Sequence, residues 1–179
     1  MRLKSYVVLL CTAFRATILK LMYGNKIVFE GHCYIKPRTK IVVGKGKMHW
    51  GKSVSVEGDG YITTSTGGKL KIGAHTFINM RCYISCRKTI SIGENCIIGP
   101  NVSIYDHNHR FEKEKIYKND YRCSDVVIEN GCWIGDGAKI LKGSTIGTGS
   151  IVGAGVVVSS TIPPHSIVKN GEVNISTIH

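Results

Sequence analysis

Two histidines lie two positions apart in the most polar part of the sequence, Asp106-His107-Asn108-His109-Arg110-Phe111. An imidazole titrates near neutral pH, so either side chain could act as a general base on a weakly nucleophilic hydroxyl group. A His-x-His pair could also bind zinc, and two histidines in a polar loop could be ordinary solvated residues. Residues 106–125 are polar, charged and rich in aromatic residues. A loop of this length is usually functional.

The cysteines offer less chemistry than their number suggests. None of the seven forms a Cys-x-x-Cys pair, and their spacing is not typical of zinc ligands: they are residues 11, 33, 82, 86, 96, 123 and 132. An odd number of cysteines, without a cleavable signal sequence, predicts reduced thiols and a cytoplasmic protein.

A six-residue repeat accounts for most of the remaining chain. β-Branched residues recur at every sixth position in the last block, at residues 128, 134, 140, 146, 152 and 158. An earlier series, residues 72, 78 and 84, slips by two and continues at 92, 98 and 104. The fourth position after each aliphatic is mostly small, so each hexad has a large and a small inward site. Three hexads, about 18 residues, would make one coil of a solenoid.

This repeat predicts an all-β, parallel β-helix whose stacked coils bury one continuous core. Cys33, Cys82, Cys96 and Cys132 fall on the small inward position and are expected to fill that core. Residues 44–68 show no clean period, and the sequence does not assign them.

The amino terminus is predicted to form a helix over residues 1–24, ended by Gly24-Asn25. It has one apolar stripe at residues 3, 7, 10, 14, 18 and 21, and basic residues interrupt the apolar run. Two interpretations stay open. The helix packs on the domain or a neighbouring subunit, or it rests on an anionic membrane surface at the inner face of the membrane. The β-helix domain would then cover residues 25–169, and residues 170–179 would form a tail.

The hexads, the Ile-Gly steps and the extruded loop near a histidine resemble the hexapeptide-repeat acyltransferases. Within them the chain is most similar to the maltose, galactoside and xenobiotic O-acetyltransferases, including the sugar-modifying relatives of polysaccharide gene clusters. The resemblance covers residues 70–165 well and residues 25–69 loosely. It implies a left-handed β-helix, a homotrimer with active sites between subunits, and transfer of an acetyl group from acetyl-CoA to a saccharide hydroxyl. No metal is expected.

The same resemblance assigns the base. The family's Pro-Asn-Val motif lies without gaps on Pro100-Asn101-Val102 and reaches its catalytic histidine at His109. The Asn-His-Arg string of the xenobiotic enzymes also matches Asn108-His109-Arg110. His109 is therefore the expected general base, and His107 is the alternative.

Other residues match the substrate sites of the family. Asn79 corresponds to an acceptor-binding asparagine, and Cys86 stands where the sugar acetyltransferases usually carry aspartate. We expect Cys86, Asp106 and Trp133 to contribute to the acceptor site with Asn79. For acetyl-CoA, the expected contacts are Trp133, Asp136, Ala154, Ser159, Ser160 and Lys169. The family's basic residue in the tail is missing from its place here, and Lys169 or Lys142 is expected to replace it.

The net charge of +12, from 24 Lys and Arg against 12 Asp and Glu, favours a polyanionic partner. An acidic or lipid-linked saccharide fits this charge. Nucleic acid is not expected, because no nucleic-acid motif occurs and the basic residues are scattered. The alternatives are a non-catalytic β-helix scaffold and a zinc-dependent, carbonic-anhydrase-like β-helix.

Overall fold

The computed structural model describes residues 2–169, so the predicted tail lies outside the described residues. Helix α1 (Arg2–Tyr23) and a 3₁₀ turn (Gly24–Lys26) precede the strands, which are numbered along the chain. Three parallel sheets wind around one core. The first sheet contains β1 (Ile27–Phe29), β4 (Lys47–Trp50), β7 (Lys69–Ile72), β10 (Thr89–Ile92), β15 (Val126–Ile128), β18 (Thr145–Ile146) and β21 (Thr161–Ile162).

The other two sheets follow in every coil. The second contains β2 (Tyr34–Ile35), β5 (Ser55–Val56), β8 (Phe77–Ile78), β11 (Ile97–Ile98), β16 (Trp133–Ile134), β19 (Ile151–Val152) and β22 (Ile167–Val168). The third contains β3 (Lys40–Val43), β6 (Tyr61–Thr64), β9 (Tyr83–Cys86), β12 (Ser103–Tyr105), β17 (Lys139–Ile140) and β20 (Val157–Val158). An antiparallel hairpin, β13 (His107–Glu112) and β14 (Lys115–Cys123), projects from the coils. The predicted fold class is confirmed.

The repeating aliphatics stack in register inside the coils. Ile78, Ile98, Ile134 and Val152 pair in succession along the second sheet, and all four are fully buried. Each such side chain contributes about 1.5–3 kcal/mol by leaving water. The four cysteines predicted at the small inward positions are also buried, which confirms that interpretation: Cys33, Cys82, Cys96 and Cys132.

Two corners of the coil matter for the site. The glycine corner joins the second sheet to the third, at residues 99–101, 135–137 and 153–155. The hairpin corner joins the third sheet to the first of the next coil, at residues 87–88, 106–125, 141–144 and 159–160. The hairpin itself is inserted there, between β12 and β15.

Coil length explains where the repeat is clean. Val127 pairs with Thr145, 18 positions on, whereas Met48 pairs with Leu70, 22 positions on. Residues 44–68 therefore form ordinary coils whose longer turns and strands obscure the period. The slip of two between Ile84 and Ile92 is the turn at Arg87-Lys88, at the hairpin corner.

Helix α1 packs on the first coils through a different face from the predicted stripe. Leu19 joins the core, and the Arg15 guanidinium donates hydrogen bonds to the carbonyls of Lys36 and Thr39. Three stripe members instead face outward, since Phe14, Ile18 and Leu21 are 66%, 41% and 81% exposed. The other stripe members, residues 3, 7 and 10, lie outside the described side chains. Gly24, with φ +57°, ends the helix as predicted. No helix in residues 2–169 combines the length and apolarity needed to span a bilayer.

Candidate active site

Asp106 is a buried carboxylate at the point where the hairpin leaves the coil. Along β12 the side chains alternate, so Ile104 points inward, Tyr105 outward and Asp106 inward again. The carboxylate then meets the backbone turn at residues 87–88. Both of its oxygens accept from the Arg87 N–H at 2.9 Å, and Oδ2 accepts from the Lys88 N–H at 2.6 Å.

The fourth contact of this carboxylate is His107, whose Nδ1 lies 2.9 Å from Oδ1 of Asp106. Burial alone would raise the pKa of Asp106, but the hydrogen bonds from His107 and from the two backbone N–H groups outweigh it and lower the pKa. The carboxylate is therefore ionised at neutral pH and can only accept. Nδ1 of His107 must then carry the proton, which leaves Nε2 as a free acceptor.

His109 has a different environment. Its Nδ1 lies 3.2 Å from the carbonyl oxygen of Tyr117, and the residue is exposed. The side chain of His107 is 13% exposed and has a charged partner, whereas the His109 side chain forms no hydrogen bond within residues 2–169 other than the one to that carbonyl.

One aromatic ring contacts both histidines. The ring centroid of Tyr121 lies 5.4 Å from that of His107 and 4.7 Å from that of His109. The guanidinium of Arg87 covers the same ring, with Cζ 3.4 Å from the centroid. Arg87 and Tyr121 were missed by the sequence analysis. The signal for Arg87 was present, because it occupies the slip in the hexad repeat.

The hairpin holds its shape through its own contacts. Its register runs from His107 opposite Cys123 and shifts after His109, where β14 carries extra residues. Arg110 bridges the irregularity by pairing with Asp120 at 3.1 Å and with Glu112 at 2.8 Å.

The residues expected at the acceptor site separate in the structure. Asn79 lies at the end of β8, where its Oδ1 accepts from the Met80 N–H at 2.8 Å. Cys86 and Asp106 are fully buried. Burial raises the pKa of the Cys86 thiol, and the neighbouring Asp106 raises it further. Neither side chain has exposed surface to offer an acceptor, so what Asp106 can do is orient His107.

The residues expected to bind acetyl-CoA lie mostly away from the histidines. Trp133, 52% exposed, is on the outer face of the second sheet beside Ile97. Asp136 accepts from Asn101 Nδ2 at 2.8 Å at the glycine corner. Ala154 is exposed at that corner, and Lys169 is exposed just after the second-sheet strand β22. Only Ser159 and Ser160 share the hairpin corner with the histidines.

Within residues 2–169 no three His, Cys, Asp or Glu side chains are grouped so that they could hold a metal ion. Six of the seven cysteines in that range are free thiols, and the seventh, Cys11, lies outside the described side chains.

Comparisons with known proteins agree with this fold. Residues 125–160 match the family model "Bacterial transferase hexapeptide (six repeats)", and residues 69–106 match "Hexapeptide repeat of succinyl-transferase". The two matches stand on either side of the hairpin.

Curated relatives and solved structures extend the likeness. The chain is 39% identical to nodulation protein L of Rhizobium meliloti (strain 1021) over 109 residues, which are 61% of this chain and 60% of the relative. It is 32% identical to galactoside O-acetyltransferase of Escherichia coli (strain K12), over 58% of this chain and 51% of that protein. A hexapeptide-repeat acetyltransferase of Vibrio cholerae superposes with a TM-score of 0.60 and 27% identity, covering 87% and 74% of the two chains.

The chain therefore contains hexapeptide repeats on both sides of the hairpin and folds as a parallel β-helix. The predicted resemblance to acetyltransferases of the galactoside and maltose O-acetyltransferase type is confirmed by these relatives. The chain spans 60% or less of the length of the curated relatives named here.

Proposed function

We propose that the protein transfers an acetyl group from acetyl-CoA to a hydroxyl of a saccharide, with His107 as the general base. The observation that carries this proposal is the buried, ionised Asp106 that fixes the Nδ1–H tautomer of His107. Carboxylate orientation of an imidazole is the usual way to prepare Nε2 to take a proton. The likeness to acetyltransferases supports acetyl-CoA as the donor. A galactoside acetyltransferase solved in complex with coenzyme A is also similar to this chain, with a TM-score of 0.53 and 25% identity over 89% of this chain and 76% of that one.

The reaction balances without a cofactor. Nε2 of His107 takes the proton of the acceptor hydroxyl while the oxygen attacks the thioester carbonyl carbon. The carbon–sulfur bond then breaks, and the imidazolium returns its proton to the departing thiolate of CoA. Asp106 stays ionised and stabilises the imidazolium between these two transfers.

His109, which the family motif favours, has a weaker case on geometry. A backbone carbonyl can also hold an Nδ1–H, but it supplies no negative charge to stabilise an imidazolium. The motif and the geometry therefore favour histidines two positions apart, because the motif counts residues whereas the geometry follows side-chain contacts.

The positions of the expected donor residues support a site shared between copies of the chain. Trp133 and Asp136 lie on the second sheet and the glycine corner, whereas His107 lies at the hairpin corner. A trimer would bring the hairpin corner of one copy against the other corner of its neighbour. Each site would then use His107 from one subunit and Trp133 from another.

The activity is tested by CoA thiol release from acetyl-CoA with a panel of free, nucleotide-linked and lipid-linked saccharides. We expect release that depends on an acceptor, together with saturable acetyl-CoA binding by calorimetry. A protein that binds no acetyl-CoA would contradict the proposal and favour a scaffold. Zinc at one equivalent per chain in metal analysis would favour the carbonic-anhydrase-like alternative.

The shared site is tested by mixing subunits. We expect His107→Ala and Trp133→Ala proteins, each impaired alone, to regain activity when co-expressed, because some mixed trimers contain one intact site. The control is co-expression of His107→Ala with itself. A monomer of 19.6 kDa in sedimentation, or no recovery in verified mixed assemblies, would contradict a shared site.

A further inference from the structure

A row of aromatic rings runs across the outer face of the third sheet and ends at His107. The rings of Tyr61 and Tyr83 are stacked with centroids 5.2 Å apart, and Tyr83 lies 5.5 Å from Tyr105. Tyr105 in turn meets His107 at 6.3 Å, edge to face. The three tyrosines come from three successive coils, so they span roughly 10 Å at about 4.8 Å between neighbouring strands.

This row is accessible in the chain. Tyr83 is 39% exposed, and Tyr61 and Tyr105 are partly exposed. Planar rings with a hydroxyl at one end suit a ligand that is apolar on one side and polar on the other. The carbon-bound hydrogens of a sugar ring form such an apolar side, and the row is longer than one sugar ring.

A cation lies at the end of the row beside His107. Arg87 is held over Tyr121, and within the described part of the chain its side chain donates one hydrogen bond, from Nη1 to Oγ1 of Thr66 at 3.3 Å. Its buried Nε has no hydrogen-bond partner among the residues that the structure describes. No carboxylate in residues 2–169 forms an ion pair with this guanidinium, because Asp106 is bonded to the Arg87 backbone instead.

Two further cations extend the same outward row. Lys40 pairs with Tyr61 in the sheet register, and Lys139 pairs with Ser103, which itself pairs with Tyr83. Both lysines are exposed, and neither has an acidic partner in the described part of the chain. Basic side chains therefore lie beyond both ends of the tyrosine row, with Lys40 one coil before Tyr61 and Lys139 one coil after Tyr105.

We propose that the acceptor is an acidic oligosaccharide, which lies along Tyr61, Tyr83 and Tyr105 and places one carboxylate on the Arg87 guanidinium. A planar guanidinium can bind a carboxylate in a two-pronged contact, and the Tyr121 ring beneath the Arg87 guanidinium holds that group in place. The sugar beside this carboxylate would present its hydroxyl to Nε2 of His107. This inference rests on the proposed function, because it names the acceptor of the same site.

The test measures binding without acetyl-CoA, by calorimetry at 0.15 M salt. The probes are hexagalacturonate, which is acidic and extended, maltohexaose, which is neutral and of equal length, and monomeric galacturonate. We expect hexagalacturonate to bind at least ten times more tightly than either of the other two.

Variants separate the two parts of the site. Arg87→Met should weaken hexagalacturonate at least tenfold and leave maltohexaose unchanged. Tyr83→Leu, which alters no charge, should weaken hexagalacturonate at least fivefold, and Tyr83→Phe should restore it. Arg38→Met is the control for loss of one positive charge. Arg38 lies in the first coil, where its exposed guanidinium pairs with Asp59.

The results that would overturn the inference are distinct from failure of the proposed function. Equal losses in Arg38→Met and Arg87→Met, with none in Tyr83→Leu, would mean that the polyanion binds only to the net charge. Dissociation of the oligomer by Tyr83→Leu would mean that a second copy covers the row. Hexagalacturonate that binds no better than maltohexaose also contradicts it. Acetyl-CoA binding, measured separately, tests the transferase itself.

Discussion

The glycine corner and the hairpin corner differ in how closely neighbouring coils approach each other. At the glycine corner the backbone of one coil touches the next, and a Cβ on Gly135 would lie 2.6 Å from the Ala154 nitrogen. At the hairpin corner the chain adds two residues at Arg87-Lys88 and a whole hairpin after β12. Close stacking leaves no room for an inserted side chain between the coils at the glycine corner, whereas the hairpin corner has space for Asp106, His107 and Arg87. This difference in packing explains why the inserted hairpin and the candidate base, His107, lie at the same corner.

The largest expected effect comes from removing the charge at the hairpin corner. Asp106→Asn should lower kcat for acetyl transfer by roughly 10²-fold, because general acid–base catalysis contributes at least this much and the amide cannot stabilise an imidazolium. Acceptor-dependent CoA release measures it.

The matched control for that variant is Asp125→Asn. Asp125 lies at the same corner and pairs with Lys88 at 3.2 Å, but it does not contact His107. We expect near-normal kcat for this control. Equal rates in both variants, with both folded by circular dichroism, would remove Asp106 from the mechanism.

At the glycine corner, we expect the addition of a single methyl group to destabilise the fold. Gly135→Ala should cost about 1–3 kcal/mol in the free energy of unfolding, as overpacking does, because backbone atoms on the next coil cannot move aside cheaply. Gly58→Ala is the milder comparison, since its Cβ would meet only the Pro37 oxygen, at 3.2 Å. Urea unfolding of both variants checks the order. A loss as large in Gly58→Ala would show that contact between coils is not the cause.

The dependence of folding stability on pH tests whether Asp106 is ionised in the folded protein. Its folded pKa is lowered, so its ionised form stabilises the fold above the ordinary carboxyl pKa of about 3.9, and this contribution is lost as the pH falls through the lower folded value. The stability gap between wild type and Asp106→Asn should shrink as the pH falls from about 5 to below about 4, where the wild-type carboxylate becomes protonated. Urea titrations at each pH measure the gap, and a gap independent of pH would contradict the assignment.

The smallest expected effect concerns the hairpin as a structural element. Replacing residues 109–121 with a two-residue Asn-Gly turn should change the thermal midpoint by only a few degrees, because the removed side chains are mostly exposed. Thermal unfolding by circular dichroism checks this. A loss of cooperative unfolding would mean that the hairpin is needed to close the coils.

The fold could be predicted from the sequence because the geometry of the coils produces the six-residue repeat. One aliphatic at every sixth residue is a consequence of three equal steps per coil, and residues 128–158 keep these steps. Residues 44–68 could not be assigned from the sequence because their coils have longer turns and strands. The six-residue period is lost there, although the strands are still present. The helix was predicted correctly, but its packing face was not, because Arg15 and Leu19 anchor it to the first coils through the other face.

The site was less visible than the fold. Counting from Pro100-Asn101-Val102 leads to His109, and no count can reveal that Asp106 turns inward and binds His107. Arg87 and Tyr121 are 34 positions apart in the chain and meet only through the pairing of coils and hairpin. The motif spacing identifies the segment that carries the base. The side-chain contacts then show which histidine in that segment has its Nδ1–H held by a carboxylate and its Nε2 free to accept a proton.

The most direct test compares His107→Ala with His109→Ala in acetyl-CoA-dependent transfer to the best acceptor of the panel, with acetyl-CoA affinity measured in both. The account predicts at least a 100-fold fall in kcat for His107→Ala, less than a tenfold fall for His109→Ala, and unchanged donor affinity. The reverse order would return the role of base to His109 and contradict the assignment of the Asp106–His107 pair.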